Sequence, residues 1–455
     1  MTKVFQTVVA LALVGGASTL SAQGVLLQGA DPVTIGRSGA EVAYGRSLEA
    51  AGLNPALLPT LAEPRSAHVA LGLEIQAGGT TAQSDLFKFT TSDRNRVLTA
   101  FGYAQRLNDR MTWGLKLDQP FGRHTELRGL APTRFSGDAF SLSAHRLEAQ
   151  FGWTLAGRPD VSFGVGLGVT RLGLELGNRI RVGVPVDPTQ PSGPLNPIQG
   201  LAELSLREEG QGISPSLTLG ARWALSSRWT VAATFESPLK AKPSLSARYL
   251  PSPITVWDNN GFGVPPIGTD ARAYQLIGTS DAVAGSGDVK LPARATLGVR
   301  QRQSQLLTWE VDLQWMGGGF QVPTFAGLRT LSGTTSAPTT LETGGSSWTL
   351  KAMGEFTLSR EWVLRLGLGL ATGYGDSNRI EPMLGGAAQS FYSAGFGYKV
   401  FGGELSFGYQ ARIDRDSDTP GLQGAWDVNG YRSVPSKVRV EGEGHLLSLG
   451  FRKAF

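Results

Sequence analysis

The feature that most constrains this chain is a series of short segments in which apolar residues alternate with small or polar ones. In Met111-Thr112-Trp113-Gly114-Leu115-Lys116-Leu117-Asp118 the odd positions are Met, Trp, Leu and Leu, and the even ones Thr, Gly, Lys and Asp. Leu307, Trp309, Val311, Leu313 and Trp315 alternate in the same way with Thr308, Glu310, Asp312 and Gln314. Successive side chains of a strand point to opposite faces, so each segment has one greasy face and one small or polar face. About fourteen such segments fall near 65–78, 95–107, 110–119, 138–156, 160–183, 201–224, 228–248, 285–302, 305–315, 345–358, 360–374, 389–400, 402–413 and 443–455.

Alternation alone does not say which face is inside. A soluble sandwich buries the apolar face, whereas an outer-membrane barrel turns it to lipid. Three further features favour the barrel. Short turns such as Asn108-Asp109, Ser226-Ser227 and Phe401-Gly402 follow the even-numbered segments, and long loops follow the odd-numbered ones. Short turns at one end and long loops at the other are the outer-membrane pattern. Trp113, Trp223, Trp229, Trp315, Trp348 and Trp362 lie near segment ends on the apolar face, where an aromatic ring with a polar tip suits the membrane interface; ordinary core aromatics are the competing reading. The last segment ends on Phe455, and a closed barrel must pair its last strand with its first. The expected fold is all-β: a transmembrane antiparallel β-barrel of about fourteen strands in the outer membrane of a Gram-negative-type bacterium, with both termini at the short-turn, periplasmic end.

Composition narrows the function classes. The 455 residues include 61 Gly and no Cys, which removes disulfides, thiolate metal sites and Cys nucleophiles. His68, His124, His145 and His445 are scattered without ligand spacing, and no Gly-x-Ser-x-Gly lies near them, so no catalytic residue, metal or cofactor is expected. The net charge of +5 is dispersed rather than gathered in basic runs, which speaks against a nucleic-acid partner. Residues 1–22 read as a signal peptide: Lys3, an apolar core Val8 to Val14, and small residues up to Ala22. No later stretch has eighteen consecutive apolar residues.

Residues 23–64 do not read as strand. Ser47 can cap a helical turn through Leu48, Glu49, Ala50 and Ala51, which Gly52 and Pro55 then stop. The Gly-rich segment Gly36-Arg37-Ser38-Gly39-Ala40-Glu41-Val42-Ala43, followed by Asn54-Pro55-Ala56 and then by fourteen strands, resembles the hatch of the FadL/TodX (OmpP1) family of outer-membrane transporters for long-chain fatty acids and hydrocarbons. Leu117-Asp118-Gln119-Pro120-Phe121-Gly122 and Val311-Asp312-Leu313-Gln314-Trp315 also look like family segments. Gly45-Arg46-Ser47-Leu48-Glu49 departs from the family, which often has a pair of Asp there, so no acidic role is carried over to it.

The resemblance implies a division into a hatch at 23–64 that plugs the lumen and a barrel at 65–455. It implies a hydrophobic ligand collected by the outer loops, held inside, and released sideways into the membrane through a kinked third strand. On that reading Gly36, Gly39, Asn54, Pro55 and Ala56 belong to the hatch and its gating. Asn54 and Pro55 form a rigid turn facing the cavity. Gly114, Pro120, Phe121 and Gly122 are candidates for the lateral opening, although the same residues suit an ordinary strand end. Leu195, Ile198, Ile254, Trp257 and Phe262 are ligand-loop candidates, or else pack the loops together. Inward Arg and Lys residues exceed inward acids and can meet a ligand carboxylate or form a bracing ladder. The expected partners are a hydrophobic small molecule, outer-membrane lipid and the barrel-assembly machinery through Phe455, with the chain acting as a monomer. A general porin and a structural or adhesin barrel are the alternatives.

Overall fold

The structure is a computed structural model that describes residues 29–44, 48–83, 88–93, 95–130, 139–185, 198–249, 255–258, 268–269, 285–325, 339–343, 345–372, 389–414 and 437–455. Fourteen antiparallel strands close into a barrel. In chain order their main spans are Arg65–Gln83, Arg96–Arg106, Met111–Leu130, Ala139–Leu155, Arg158–Pro185, Ile198–Ala224, Trp229–Glu236, Ala293–Arg302, Leu307–Gly317, Ser346–Thr357, Trp362–Ala371, Gln389–Val400, Gly403–Asp414 and Lys437–Ala454. Shorter pieces carry several of them outward, among them Lys88–Asp93, Leu239–Ala241, Ser244–Tyr249, Val289–Leu291 and Phe320–Phe325. The first strand closes the ring on the last, in register from Ser66↔Ala454 to Gln83↔Lys437. The amide of Phe455 donates to the carbonyl of Arg65 at 2.9 Å, so the final residue is tied into the seam. Residues 1–28, with the signal-peptide reading, and Ser47 lie outside the described residues.

The short turns are made by their own side chains. Asn108 Oδ1 accepts from the amides of Arg110 and Met111, each at 2.9 Å. Ser226, Ser304 and Ser359 do the same for the second and third residues after them. Asn and Ser suit these places because a short polar side chain can stand in for a missing backbone acceptor.

Several boundaries need correction: the first strand runs on past 78 to Gln83, and the last begins at Lys437 rather than near 443. The third strand does not stop near 119 but runs on to Leu130. Its register against the fourth strand shifts between Asp118 and Phe121. A bulge there takes Pro120, which has no amide to donate, out of the ladder without ending the strand.

On the outward face Leu71, Leu147, Leu167, Leu297 and Leu449 are all exposed, as a lipid-facing belt requires. Trp223, Trp229 and Trp362 mark its short-turn edge, and Trp315 and Trp348, paired across the ninth and tenth strands, its outer edge. Towards the outer end the pattern inverts. Val165, Leu167 and Val169 of the fifth strand point outward, but Leu172, Leu174 and Leu176 are buried inside, while Arg171 is exposed.

The belt predicts a measurable penalty. Leu167→Arg places a charge in the lipid belt and is expected to cost about 2–4 kcal/mol. Leu358→Arg, in an exposed short turn, is expected to stay within about 0.5 kcal/mol. Urea unfolding in lipid vesicles compares the two, and equal penalties would contradict the lipid-facing assignment.

Candidate functional site

The segment before the first strand folds inside the barrel. Asp31 caps the helix Pro32–Gly36 by accepting from the amides of Val33 (2.8 Å) and Thr34 (3.1 Å). The chain then turns through Ser38 and Gly39, both at positive φ, which makes glycine the natural residue at 39. The amides beyond that turn are caught by the ninth strand. Asp312 accepts from Glu41 (3.0 Å) and Val42 (3.2 Å), and Glu310 accepts from Ala43 (2.6 Å). Arg37 bridges Glu41 (2.8 Å) and Glu355 (2.5 Å) and lies over the ring of Tyr44, whose hydroxyl donates to Glu355.

The second half of the hatch is the helix Leu48–Leu53 and the 3₁₀ turn Pro55–Thr60. Asn54 joins them and is fully buried. Its Oδ1 accepts from the amide of Ala56 (3.1 Å), and its Nδ2 donates to the carbonyl of Val42 (2.9 Å), tying the two halves together. From the wall, Lys116 and Gln150 donate to the carbonyl of Gly52, and Ser162 to that of Ala56.

Inward glycines make this fit possible. A Cβ on Gly164 would lie 2.3 Å from the carbonyl carbon of Pro55, and one on Gly220 would lie 2.1 Å from Oδ1 of Asn54. Gly36 in turn packs its backbone on Gly395, where a Cβ would come within 3.0 Å. The small face of the strands is therefore a set of windows through which hatch backbone meets wall backbone. Asn54, Pro55 and Ala56 are wedged against this wall rather than standing free in a cavity.

Above the hatch lies a charged layer. Arg146 makes a bidentate pair with Asp118 (2.9 and 2.8 Å) and reaches Glu236 at 2.7 Å, and Arg294 shares Glu236 at 2.5 Å. Lower down, Arg365 joins Glu355 (2.9 Å) to Glu404 (2.5 Å), and Arg452 joins Glu404 (2.7 Å) to Glu49 of the hatch (3.2 Å). This is the bracing ladder among the two sequence readings. Asp31, Glu49 and His68 also converge, with ligand-type atoms within 4.8 Å of one another, a grouping that the spacing of the histidines does not reveal. Arg452 already supplies positive charge beside Glu49.

Beyond the charged layer the lumen becomes apolar. Phe140, Leu142, Leu172, Leu174, Leu291 and Phe320 are buried together there, with Phe121 in the same cluster. On the fourth strand the inward residues run from Phe140, Leu142 and Ala144 through Arg146, Glu148 and Gln150 to Gly152, so one face serves apolar cluster, charged layer and hatch in turn.

Beside this apolar cluster the backbone ladder of the wall is interrupted. The second and third strands pair from Arg106↔Thr112 to Phe101↔Leu117, and the pairing resumes only at Asp93↔Thr125. Among the described residues, 118–122 have no ladder partner on the second strand. Pro120, Phe121 and Gly122 lie in that stretch, whereas Gly114 lies below it, paired with Ala104 and packed on Leu58 of the hatch. Leu195, Ile254 and Phe262 lie outside the described residues; Ile198 opens the sixth strand and Trp257 pairs with Leu201 on it. The hatch-binding role of Asp312 and Glu310 and the inward apolar run of the fifth strand were not singled out in the sequence. The shift of Leu residues from odd to even positions after Val169 is the signal that marks the second.

Two hatch carboxyls carry opposite pH dependence. Burial opposes ionisation of Glu49, but Arg452, together with His68, the backbone amide and Arg37, outweighs it and holds the carboxyl at about 2 rather than 4.5. That contribution to hatch docking is present above pH 4.5 and is lost as pH falls towards about 2. Burial, with Glu49 and Glu41 close by, raises Asp31 well above 3.8, so its contribution is present at low pH and is lost as pH rises through the raised value. In planar bilayers the current through the protein is expected to rise as pH is lowered from 4.5 towards 2, and Glu49→Gln is expected to abolish that step. Asp31→Asn keeps both capping bonds and is expected to stay closed. Gly164→Val, which drives a side chain into Pro55, is expected to raise the current at neutral pH. An unchanged current in Gly164→Val would show that the hatch does not depend on this contact.

No curated protein matches the chain by sequence comparison. Among solved structures, the barrel resembles a Pseudomonas aeruginosa FadL homologue with a TM-score of 0.68 at 15% identity, over 95% of this chain and 100% of that one. It also resembles the toluene transporters TbuX of Ralstonia pickettii and TodX of P. putida, with TM-scores of 0.58 and 0.59 at 14% and 13% identity, each over 94% of this chain and 99% of the other. Residues 13–455 match the family of outer membrane protein transport proteins described as OMPP1/FadL/TodX. With its closed fourteen-strand barrel and internal hatch, the chain belongs to that family of Gram-negative outer-membrane transport proteins.

Proposed function

We propose that this transporter carries uncharged hydrophobic molecules, of hydrocarbon type, from the outer loops into the apolar chamber and releases them sideways into the membrane. The observation that carries the reading is the meeting of chamber and wall break at one residue. Phe121 belongs to the buried apolar cluster and also to the stretch of the third strand that lacks a partner on the second. A ligand leaving there passes from one apolar medium to another and never crosses the charged layer, where every polar group it displaced would lose a partner.

An uncharged ligand is favoured because the cations of the charged layer are already engaged with acids, and Arg123, opposite Leu142 of the fourth strand, bonds to Oγ1 of Thr125 (2.7 Å). Arg146 and Arg294 share Glu236, Arg146 also holds Asp118, and Lys116 bonds to Asp118 (3.1 Å) and the hatch. A fatty-acid carboxylate would have to break one of these buried pairs, at about 3–5 kcal/mol for the partner left unpaired. The hatch opposes the reading of an open general porin.

The absence of Cys allows a clean test. Thr99→Cys with Gln119→Cys sets one thiol on each side of the break. Oxidation is expected to cut uptake of a radiolabelled aromatic hydrocarbon at least tenfold, and reduction to restore it. Unchanged uptake with the disulfide fully formed would exclude sideways release at this place. Competition by an excess of long-chain fatty acid as effective as by hydrocarbon would exclude the preference for uncharged ligands.

A further inference from the structure

The outer face of the fifth to ninth strands carries a pattern that transport does not use. Val169, Ile213, Phe235 and Leu297 are the outward, exposed residues that end the lipid belt on four neighbouring strands. Beyond them the outward residues become cationic. Arg171 follows Val169 on the same face. Lys240 is exposed between buried Leu239 and Ala241, and Lys290 is half-buried between buried Val289 and Leu291. The height of these lysines is set by a hydrogen bond. The amide of Lys240 donates to Oγ of Ser214 (2.9 Å), next to Ile213, which is 71% exposed. The lysines therefore begin where the belt ends, at the depth of lipid headgroups.

Lys240 and Lys290 are direct partners across an antiparallel ladder. Like charges in that arrangement repel unless an anion lies between them. Among the described residues no carboxylate is bonded to either. Asp288 is taken by Lys242 at 3.4 Å, Glu175 by Arg207 at 2.8 Å, and Glu209 lies 3.8 Å from the same Arg207. Gln321 stands opposite Lys290 on the other side, and Arg171 is bonded to Gln211. Five to seven residues further in along the seventh and eighth strands, the lipid face is not flat. Ala233 and Ala295 form the floor of an apolar groove of about 690 Å³, walled by Leu219, Phe235, Trp315 and Trp348.

We propose that Lys240 and Lys290 bind a phosphate of an acylated, phosphate-bearing glycolipid in the outer leaflet, with one of its hydrocarbon chains lying in the groove beneath. A phosphate between the lysines turns their repulsion into two charge-assisted hydrogen bonds. The groove supplies the non-directional part of the binding by taking apolar chain against Ala233 and Ala295. Neither element is part of the chamber or of the hatch, so the site is separate from the transport path.

The test uses the full-length protein in detergent micelles, exchanged against diphosphorylated, monophosphorylated or fully dephosphorylated lipid A, with native mass spectrometry as the readout. The wild type is expected to retain one diphosphorylated lipid and at least tenfold less of the dephosphorylated one. Lys240→Ala with Lys290→Ala is expected to lose that difference, and Lys240→Arg with Lys290→Arg to keep it. Ala233→Leu fills the groove and is expected to weaken retention with both lysines intact. Heat-modifiable migration on gels confirms that each variant is folded. Equal retention of the phosphorylated and dephosphorylated lipids by the wild type would overturn the proposal. So would undiminished retention by the double alanine variant, or displacement of the lipid by millimolar inorganic phosphate alone, which would make the site one for free phosphate.

Discussion

Everything in this molecule depends on one constraint: a backbone amide or carbonyl inside hydrocarbon must be paired with another backbone group. The chain meets it by pairing its first strand with its last over their whole common length, from Ser66↔Ala454 to Gln83↔Lys437. Closure then creates a second problem, because a ring of fourteen strands encloses a lumen that side chains alone do not fill. The residues before Arg65 occupy its short-turn half. They have few regular hydrogen bonds of their own, so their backbone groups are satisfied by the wall: amides by Asp312 and Glu310, carbonyls by Lys116, Gln150 and Ser162.

The wall is shaped for that task. Gly152, Gly164 and Gly220 stand where the hatch touches the barrel, and a Cβ there would overlap the backbone of Pro55 at the first two and the Asn54 side chain at the third. The buried ion pairs add definition more than net stability, since desolvating two charges costs nearly as much as their attraction returns. Their arrangement still fixes the position of the hatch, because Arg37 and Glu49 each belong to a chain of alternating charges that ends on the barrel. In the third strand one missing amide, that of Pro120, coincides with the place where the ladder to the second strand is interrupted. The constraint that closes the barrel is relaxed where the buried apolar cluster meets the wall.

Much of this was legible in the sequence because a half-buried strand has a period of two and a tight turn has its own chemistry. Met111 to Asp118 and Leu307 to Trp315 announced their faces, and Asn108, Ser226 and Ser359 announced the turns. What was not legible was depth. Leu172, Leu174 and Leu176 alternate as regularly as Val165, Leu167 and Val169, yet they face the lumen. Periodicity says that two faces differ; it does not say when the strand has left the membrane and the solvents on the two sides have changed places. Nor could the small residues on the even positions be told apart. A glycine beside hatch backbone and a glycine beside another side chain look the same until both partners are in place.

The sequence by itself determined the fold class, the strand count, the turn positions and the presence of a non-strand segment ahead of the barrel. These follow from local patterns whose physical cause lies within a few residues. The family was legible too, from Gly36 to Gly39 and Asn54-Pro55-Ala56 in front of fourteen strands. Only the tertiary structure decided what the hatch holds on to, where charge gives way to an apolar cluster, and where the ladder of the wall is interrupted. Those properties arise between residues hundreds of positions apart, such as Arg37 and Glu355 or Asn54 and Gly220. Closing the ring is what brings them together, and no local pattern records which residues a closed ring makes neighbours.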